Sequence, residues 1–372
     1  MGQWPCTVES LGVIRLAVAR LPDTRFWAGQ RVLLTGHTGF KGSWLSLWLE
    51  RLGAKVDAIG LAPDQAPALF PLLAPFARQN SQIADLRDRV GIARIVAALR
   101  PTLVLHMAAQ PLVRRSYREP LETLATNVMG TAHLLDALRD SPDLKAILVV
   151  TTDKVYAHDG EDRAFGEDDR LGGHDPYSTS KAGTELVAQT YRHSYFAPRN
   201  VALATARAGN VIGGGDWSED RLIPDIWRAL HAGKPVALRY PQATRPWQHV
   251  LDPLLGYLLY LEDLADTAIP PPHALNFGPE ARDGTMAVAA VVDAMAAAFG
   301  TSHSWTAEPG PHPIEMPTLA LDAALARQTL GWAPRLGSAD AIGWTAAWYK
   351  GFDAGADMRA ATLDQLSRYE AL

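Results

Sequence analysis

Two short runs hold side chains whose types and spacing can do chemistry together. Tyr177 and Lys181 stand four residues apart, and Thr152-Asp153-Lys154 lines up a hydroxyl, a carboxylic acid and an amine. Residues four apart share one face of a helix. An ammonium beside a phenol favours the phenolate and lowers its pKa from about 10. Tyr177 then serves as a base toward a sugar hydroxyl while hydride leaves the same carbon. The same lysine can reach the ribose hydroxyls of a nicotinamide cofactor. Asp153 and Lys154 suggest a second operation, the removal of water from a 4-keto sugar. That step needs a base for the acidified C5 proton and an acid for the departing C6 hydroxyl. An adjacent carboxyl and amine supply both once burial shifts them. Each run alone also has a plain reading, as an exposed helix pair and as a surface Asp-Lys turn.

The elements that must position these residues follow from periodicity. From Arg31 onward, short β-branched runs alternate with helical patterns, the mark of βαβ units. This predicts an α/β fold: a Rossmann-type doubly wound parallel sheet with a smaller C-terminal substrate-binding lobe. Residues 32–35 read as the first strand and 41–51 as the first helix, with Trp44, Leu45, Trp48 and Leu52 at three- and four-residue steps. Strands are expected at 55–61, 103–107, 146–152 and 201–206, and helices at 90–99, from near Asn127, and around Tyr177. The strand ending at Thr152 delivers Asp153 to the carboxyl edge of the sheet, where open α/β sheets place ligands. Past Asn210, Gly213-Gly214-Gly215, Pro235, Pro246 and Pro270-Pro271-Pro272 break the chain into shorter pieces. The expected division is an N-terminal extension over 1–25, an NAD-binding Rossmann domain over 26–210, and a mainly substrate-binding lobe over 211–372. Residues of about 250–280 are expected to return to the Rossmann domain.

Gly36, Gly39 and Gly42 sit between the first strand and first helix, where a dinucleotide fingerprint belongs. Glycines there permit a tight turn, approach of backbone to pyrophosphate, and close helix packing. The helix N-terminus offers free N–H groups to the anion. The GxxGxxG spacing favours the short-chain dehydrogenase variant of the fold. Thr38, Phe40 and Lys41 belong to the same candidate site. Lys41 reads either as a partner for a cofactor phosphate or as a solvated loop lysine. Asp85, followed by Leu86, is a candidate acceptor for the adenine amino group or a helix cap. Ala108, Ala109 and Gln110 suit a floor under the cofactor, whereas His106 reads as a satisfied core histidine. No acid at Leu61 or Ala62 marks a ribose site and no arginine marks a 2′-phosphate, so the lean is to NAD. No metal site is expected.

Composition narrows the classes. Across 372 residues, 48% are hydrophobic and 20% charged, which fits a globular protein with a large core. A net charge of -5 argues against nucleic-acid binding. No apolar run reaches the roughly 20 residues of a membrane span, so no membrane association is expected. The run at 11–21 is interrupted by Arg15 and Arg20 and lacks the flanks of a signal segment. The lone Cys6 excludes an internal disulfide framework and fits a reducing compartment. A cytoplasmic location is the expectation.

The chain resembles the CDP-glucose 4,6-dehydratases. The resemblance is carried by Phe26-Trp27, the Gly36–Trp44 string Gly-His-Thr-Gly-Phe-Lys-Gly-Ser-Trp, the His106–Val113 string, Thr152-Asp153-Lys154 and Asp175-Pro176-Tyr177-Ser178. Arg207–Trp217 and Arg245–Val250 extend it toward the C-terminal region. Dehydratases of dTDP-glucose and GDP-mannose usually carry Asp-Glu or Ser-Glu type pairs where this chain has Asp153-Lys154. The resemblance implies an extended short-chain dehydrogenase with tightly held NAD, acting on CDP-glucose to give CDP-4-dehydro-6-deoxy-D-glucose, a precursor of bacterial deoxysugars such as those of O-antigen lipopolysaccharide. It also implies a homodimer or homotetramer built on paired helices.

Carried onto this chain, the resemblance gives three steps. Tyr177, assisted by Thr152 and Lys181, serves oxidation at C4. Asp153 as acid and Lys154 as base remove water across C5 and C6. Reduction at C6 then regenerates the cofactor. The second lobe should grip the nucleotide, with Asn210, Arg221, Arg239 and Arg245 as candidates because guanidinium forks match phosphate oxygens. Trp217 and Trp247 either stack on the ligand or pack the core. The chain departs from its relatives at Val155-Tyr156-Ala157-His158, where Cys-Tyr-Asp-Asn is common. A nucleotide-sugar epimerase would share Tyr177 and Lys181 without needing the Asp-Lys pair. A silent NAD- and sugar-binding protein would need neither; the intact set argues against both.

Overall fold

The computed structural model describes residues 20–157, 163–266, 271–279, 285–301, 305–310 and 320–372. Among these, seven strands form one parallel sheet: β1 (Arg31–Thr35), β2 (Lys55–Gly60), β3 (Gln79–Ile83), β4 (Leu103–His106), β5 (Ala146–Val150), β6 (Ala202–Ala208) and β7 (Ala274–Phe277). The spatial order is β3-β2-β1-β4-β5-β6-β7. The winding therefore reverses between β1 and β4, which opens a crevice at the carboxyl ends of the strands.

Sequence alternation explains the layering. Leu33, Val104, Ile147 and Leu203 face one side of the sheet and pack on Ile92 and Val96 of α2 (Arg89–Leu99). Val32, Leu34, Leu105 and Leu148 face the other and join Trp44 and Leu45 of α1 (Phe40–Arg51). β5 is Ala-Ile-Leu-Val-Val, buried throughout, as a strand covered on both faces must be. β3 is Gln-Asn-Ser-Gln-Ile and mostly solvent-facing, a polar edge that resists pairing with another chain.

Beyond β4 come α3 (Val113–Arg118) and α4 (Pro120–Leu124), then a π turn over Ala125–Met129 that runs into α5 (Gly130–Leu138). The helix expected from near Asn127 thus starts earlier, at a proline suited to a first turn. Asn127 lies mid-helix, inside the π turn. The early part escapes a periodicity search because Leu121 and Met129 are exposed. α6 (Pro176–Tyr191) carries Tyr177 and Lys181.

Part of the remaining chain lies outside the main sheet and part returns to it. α7 (Leu222–Ala232) is followed by a short strand that does not join the main sheet. α8 (Leu251–Asp266) is almost wholly buried, and its Leu255 and Leu258 join the core beside α1. β7 pairs with β6 in the main sheet. α9 (Val288–Phe299), α10 (Ser338–Asp353) and α11 (Met358–Glu370) complete the chain. Trp348 of α10 occupies the space beside Gly214, where a Cβ would lie 1.9 Å from its ring, and it donates to Thr362 Oγ1 of α11 at 2.9 Å.

Most of the expected extension, residues 1–19 with Cys6, lies outside the described residues. From Arg20 the chain is already tied to α8: Arg20 pairs with Glu262 and Asp263, and Trp27 Nε1 donates to Glu262 at 2.6 Å. His158 of the departing loop also lies outside the described residues. Among the described residues, no helix is long and apolar enough to cross a membrane.

Candidate active site

The glycine turn is built by close approach. Gly36 has φ +80°, and a Cβ on it would lie 2.7 Å from Ala108 N at the end of β4. A Cβ on Gly42 would lie 2.1 Å from Gly36 O. Only glycine fits either place. Gly39 caps α1 without a side-chain acceptor, so the first-turn N–H groups of Phe40, Lys41 and Gly42 stay free at a cavity wall. That uncapped turn fits a dinucleotide pyrophosphate, the observation that qualifies the site for a nicotinamide cofactor. Thr38 Oγ1 donates to Leu61 O at 2.7 Å, fixing the turn against the end of β2.

The cavity encloses about 1440 Å³, and every site residue expected from the sequence lines it. At the outer end, Asp85 is held by Arg87, which donates to both carboxylate oxygens, and burial is outweighed so that the acid sits below its ordinary range. The helix-capping alternative for Asp85 is excluded, since the cap of α2 is Asp88. Leu86 is buried against Gly130. Gln110 is locked by Asn127, whose Oδ1 accepts from Gln110 N at 2.8 Å and whose Nδ2 donates to Ser180 Oγ at 2.8 Å. Asn127 therefore ties the floor at Ala108, Ala109 and Gln110 to α6. Its type gave no signal in the sequence, but π turns recur at functional sites. His106 is buried between Thr35 Oγ1 (2.7 Å) and Thr131 Oγ1 (2.9 Å), and burial pushes it down to about 3. It is a neutral core histidine.

The reactive cluster sits where β5 ends. Thr152 precedes a single 3-10 turn, Asp153–Val155, and its Oγ1 donates to Asp153 Oδ1 at 2.8 Å. Lys154 Nζ stands 3.5 Å from the same oxygen. The second oxygen, Asp153 Oδ2, is buried with no partner among the described residues. α6 is launched by Asp175, which accepts from Ser178 N at 2.9 Å, with Pro176 at its first position. Tyr177 and Lys181 are both buried on it. Lys181 Nζ donates to Val150 O at 3.1 Å, and burial lowers it to about 8.

Tyr177 differs from the expectation of a lowered phenol. Burial pushes it up to about 12, with the Thr152 hydroxyl and the Arg221 cation acting the other way. The reason is that burial in the cavity wall penalises the phenolate more than those two neighbours favour it. Lys41 is also not a solvated loop residue. It is the second residue of α1, and its Nζ reaches inward to 5.7 Å from the Tyr257 ring centroid. Burial pushes Lys41 down to about 7, helped by the Lys181 and Arg221 cations and opposed by Asp153.

A buried network behind the cluster has no motif in the sequence. Glu185, one turn past Lys181, accepts from Thr151 Oγ1 (2.5 Å), Thr205 Oγ1 (2.7 Å) and two nitrogens of Arg207 (3.0 and 2.9 Å). Arg207 also donates to Tyr156 OH at 2.9 Å, and Tyr156 OH donates to Asn276 Oδ1 at 2.6 Å. The network joins β6, β7, α6 and the turn of Asp153.

At the cavity wall, Asn210 Nδ2 is buried without a partner among the described residues. Arg221 donates to Pro111 O at 3.3 Å, across the mouth from the sheet domain. Arg245 is buried on the strand Thr244–Pro246 and donates to Thr244 O at 2.9 Å, while Arg239 follows the strand Val236–Leu238. Trp217 sits among Trp227, Trp348, Tyr349 and Phe352, and Trp247 Nε1 donates to Met286 O, so both pack the lobe while touching the cavity.

Comparison with known proteins agrees with this geometry. The pattern of the GDP-mannose 4,6 dehydratase family matches residues 33–343. The chain belongs to that family. Within it, the chain is 44% identical to a CDP-glucose 4,6-dehydratase of Salmonella typhimurium over 93% of this chain and 98% of that protein. Among solved structures, the dTDP-glucose 4,6-dehydratase of Streptomyces venezuelae with NAD bound is 25% identical, covers 88% of this chain and 99% of that one, and has a TM-score of 0.73. The UDP-glucose 4-epimerase of Thermus thermophilus in complex with NAD is also 25% identical, covers 87% and 99%, and scores 0.74. These two solved structures share the fold of this chain while the activities named for them differ.

Proposed function

We propose that this protein is an NAD-dependent CDP-glucose 4,6-dehydratase, a hydro-lyase that forms CDP-4-dehydro-6-deoxy-D-glucose. The observation that carries the reading is the Asp153–Lys154 pair: acid and amine in contact, inside the cavity shared by Tyr177 and Lys181. The 44% identity over nearly the whole chain to a CDP-glucose enzyme supports the same substrate.

Bound NAD supplies the two-electron acceptor and donor for the sugar. The turn Gly36–Gly42 and the wall at Asp85, Leu86 and Ala108–Gln110 hold it. Tyr177, a neutral phenol at rest, takes the C4 hydroxyl proton while handing on its own, with Thr152 beside it and Lys181 buried one turn on. Asp153 and Lys154 form a proton-sharing couple. In its neutral tautomer the couple presents a free amine for the C5 proton and a carboxylic acid for the C6 hydroxyl. Elimination moves one proton onto Lys154 and one from Asp153 onto the departing water, which leaves the couple as an ion pair. Asp153 Oδ2 is the carboxylate oxygen that no described residue engages. Asn210, Arg221, Arg239 and Arg245 surround the diphosphate end.

We also propose a homodimer or homotetramer that buries exposed Leu121, Met129 and Leu186 of the α4–α6 face. A cytoplasmic site and a role in supplying bacterial deoxysugars for O-antigen follow from the same reading. The test is a product assay with CDP-, dTDP-, UDP- and GDP-glucose side by side. CDP-glucose should give a base-labile 4-keto chromophore with no net NADH. A C4 epimer would assign an epimerase, and unchanged but bound substrate would assign a silent binding protein.

A further inference from the structure

Three lysines line the cavity among the described residues, each in a different setting. Lys154 stands against Asp153, and Lys181 donates to Val150 O. Lys41 makes neither hydrogen bond nor ion pair with described residues, and its amine is held against the Tyr257 ring at 5.7 Å. The charges that face it come from several elements: Lys181 of α6, Arg221 ahead of α7, and Asp153 of the turn after β5. Tyr257 of α8 closes the wall, with its own hydroxyl buried and unpartnered and Tyr177 as its electrostatic neighbour. The acids nearest the other end of α1 are already engaged, Glu370 by Arg51 and Glu50 by Arg359. Of the charges that face it, only Asp153 favours an ammonium and that acid already stands against Lys154, whereas two neighbours repel one.

Position gives this amine a task. Lys41 belongs to the helix whose first turn takes the pyrophosphate, yet its Nζ shares a wall with Lys181 of the hydride-transfer pair. A dinucleotide that spans those two points passes Lys41 on the way. An oxidised nicotinamide is a cation and a reduced one is neutral, so the chamber's charge changes by one at each redox step. We propose that Lys41 offsets this change, standing as a free amine while oxidised cofactor is bound and taking up one proton when that charge is lost. The balance closes. Oxidation of the C4 carbinol gives two electrons and one hydrogen nucleus to the cofactor and one proton to Tyr177, whose own phenol proton is passed on; an N–H bond on Lys41 accounts for the proton passed on. Reduction at C6 reverses it.

This inference rests on the NAD reading of the site, and its test needs no turnover. NAD and NADH affinities are measured by titration between about pH 6 and 8 for the natural chain, Lys41→Met and Lys41→Gln, with circular dichroism to confirm the fold. An amine titrating near 7 goes from about one-tenth to about nine-tenths neutral across that range. NAD affinity should therefore rise about tenfold and NADH affinity fall about tenfold, so that their ratio rises about a hundredfold in the natural chain and stays flat in both variants. Proton release on NAD binding at the acid end should vanish with them. A slope that persists in the folded variants, or a flat ratio in the natural chain, overturns the inference. Failure of the natural chain to bind either dinucleotide would instead overturn the functional reading.

Discussion

Glu185→Gln tests how the reactive turn is held. The carboxylate fills both oxygens with four donors, and its partner Arg207 is as deeply buried, at 5% and 3% side-chain exposure for the pair. Glutamine keeps one acceptor oxygen and turns an NH2 group toward a hydroxyl or a guanidinium. The guanidinium is left as a buried charge without its counter-charge. Removing one partner of such a pair destabilises a fold by about 3–5 kcal/mol. Thr151, whose hydroxyl leans on this carboxylate, immediately precedes Thr152 and Asp153, so the disturbance reaches the reacting groups. A misplacement of about 1 Å there lowers turnover on the order of 100-fold. Urea denaturation reads the first effect as a shifted midpoint at unchanged slope, and chromophore formation reads the second. The double replacement Glu185→Leu with Arg207→Met leaves no buried charge and should be more stable than Glu185→Gln. A Gln variant with natural midpoint and turnover, or a double variant less stable than the single, refutes the reasoning.

Lys154→Met should retain NAD but lose chromophore formation by at least about 100-fold, the share of a positioned general base; full activity would remove Lys154 from the chemistry. Gly42→Ala puts a methyl 2.1 Å from Gly36 O, so dinucleotide binding measured by titration should be lost; natural affinity would show that the turn is not the pyrophosphate site. Burial pushes Asp252 up to about 7, with the Arg335 amide and Tyr369 hydroxyl opposing. A raised carboxyl supports the fold fully below its unfolded value of 3.8, and that support is lost as pH rises toward 7. Asp252→Asn should therefore gain on the natural chain by a few kcal/mol (~2–4) across that window. A stability difference independent of pH would refute it.

The sheet was legible because its strands are buried on both faces and announce themselves as short apolar runs, Val-Leu-Leu at 32–34 and Ala-Ile-Leu-Val-Val at 146–150. The glycine turn and the Tyr177–Lys181 spacing were legible because local geometry alone dictates them. Lys41 was not, since its stem leads from a surface turn to an interior amine, and only tertiary packing decides between the two. Glu185 and Arg207 meet from α6 and β6 with no short-range pattern to betray them. The phenol of Tyr177 was misjudged for the same reason: one nearby lysine is visible in sequence, whereas the desolvation that outweighs it is not. Asn127 hid inside a π turn that breaks the usual helical period.

Trp348 beside Gly214 has a consequence for biosynthesis. Gly214 O accepts from Trp44 of the cofactor helix at 3.0 Å, and a Cβ on neighbouring Gly213 would lie 3.1 Å from Phe40. The turn that flanks the dinucleotide is thus clamped by a helix that leaves the ribosome long after the turn itself. A nascent chain can carry Tyr177, Asp153 and the glycine turn and still lack the wedge that seats them. Until α10 arrives, Trp44 and Trp217 have lost a neighbour and present indole surface to other chains. Chains stopped before α10 should be recognised by chaperones and proteases as unfinished protein, long before their missing catalysis is felt.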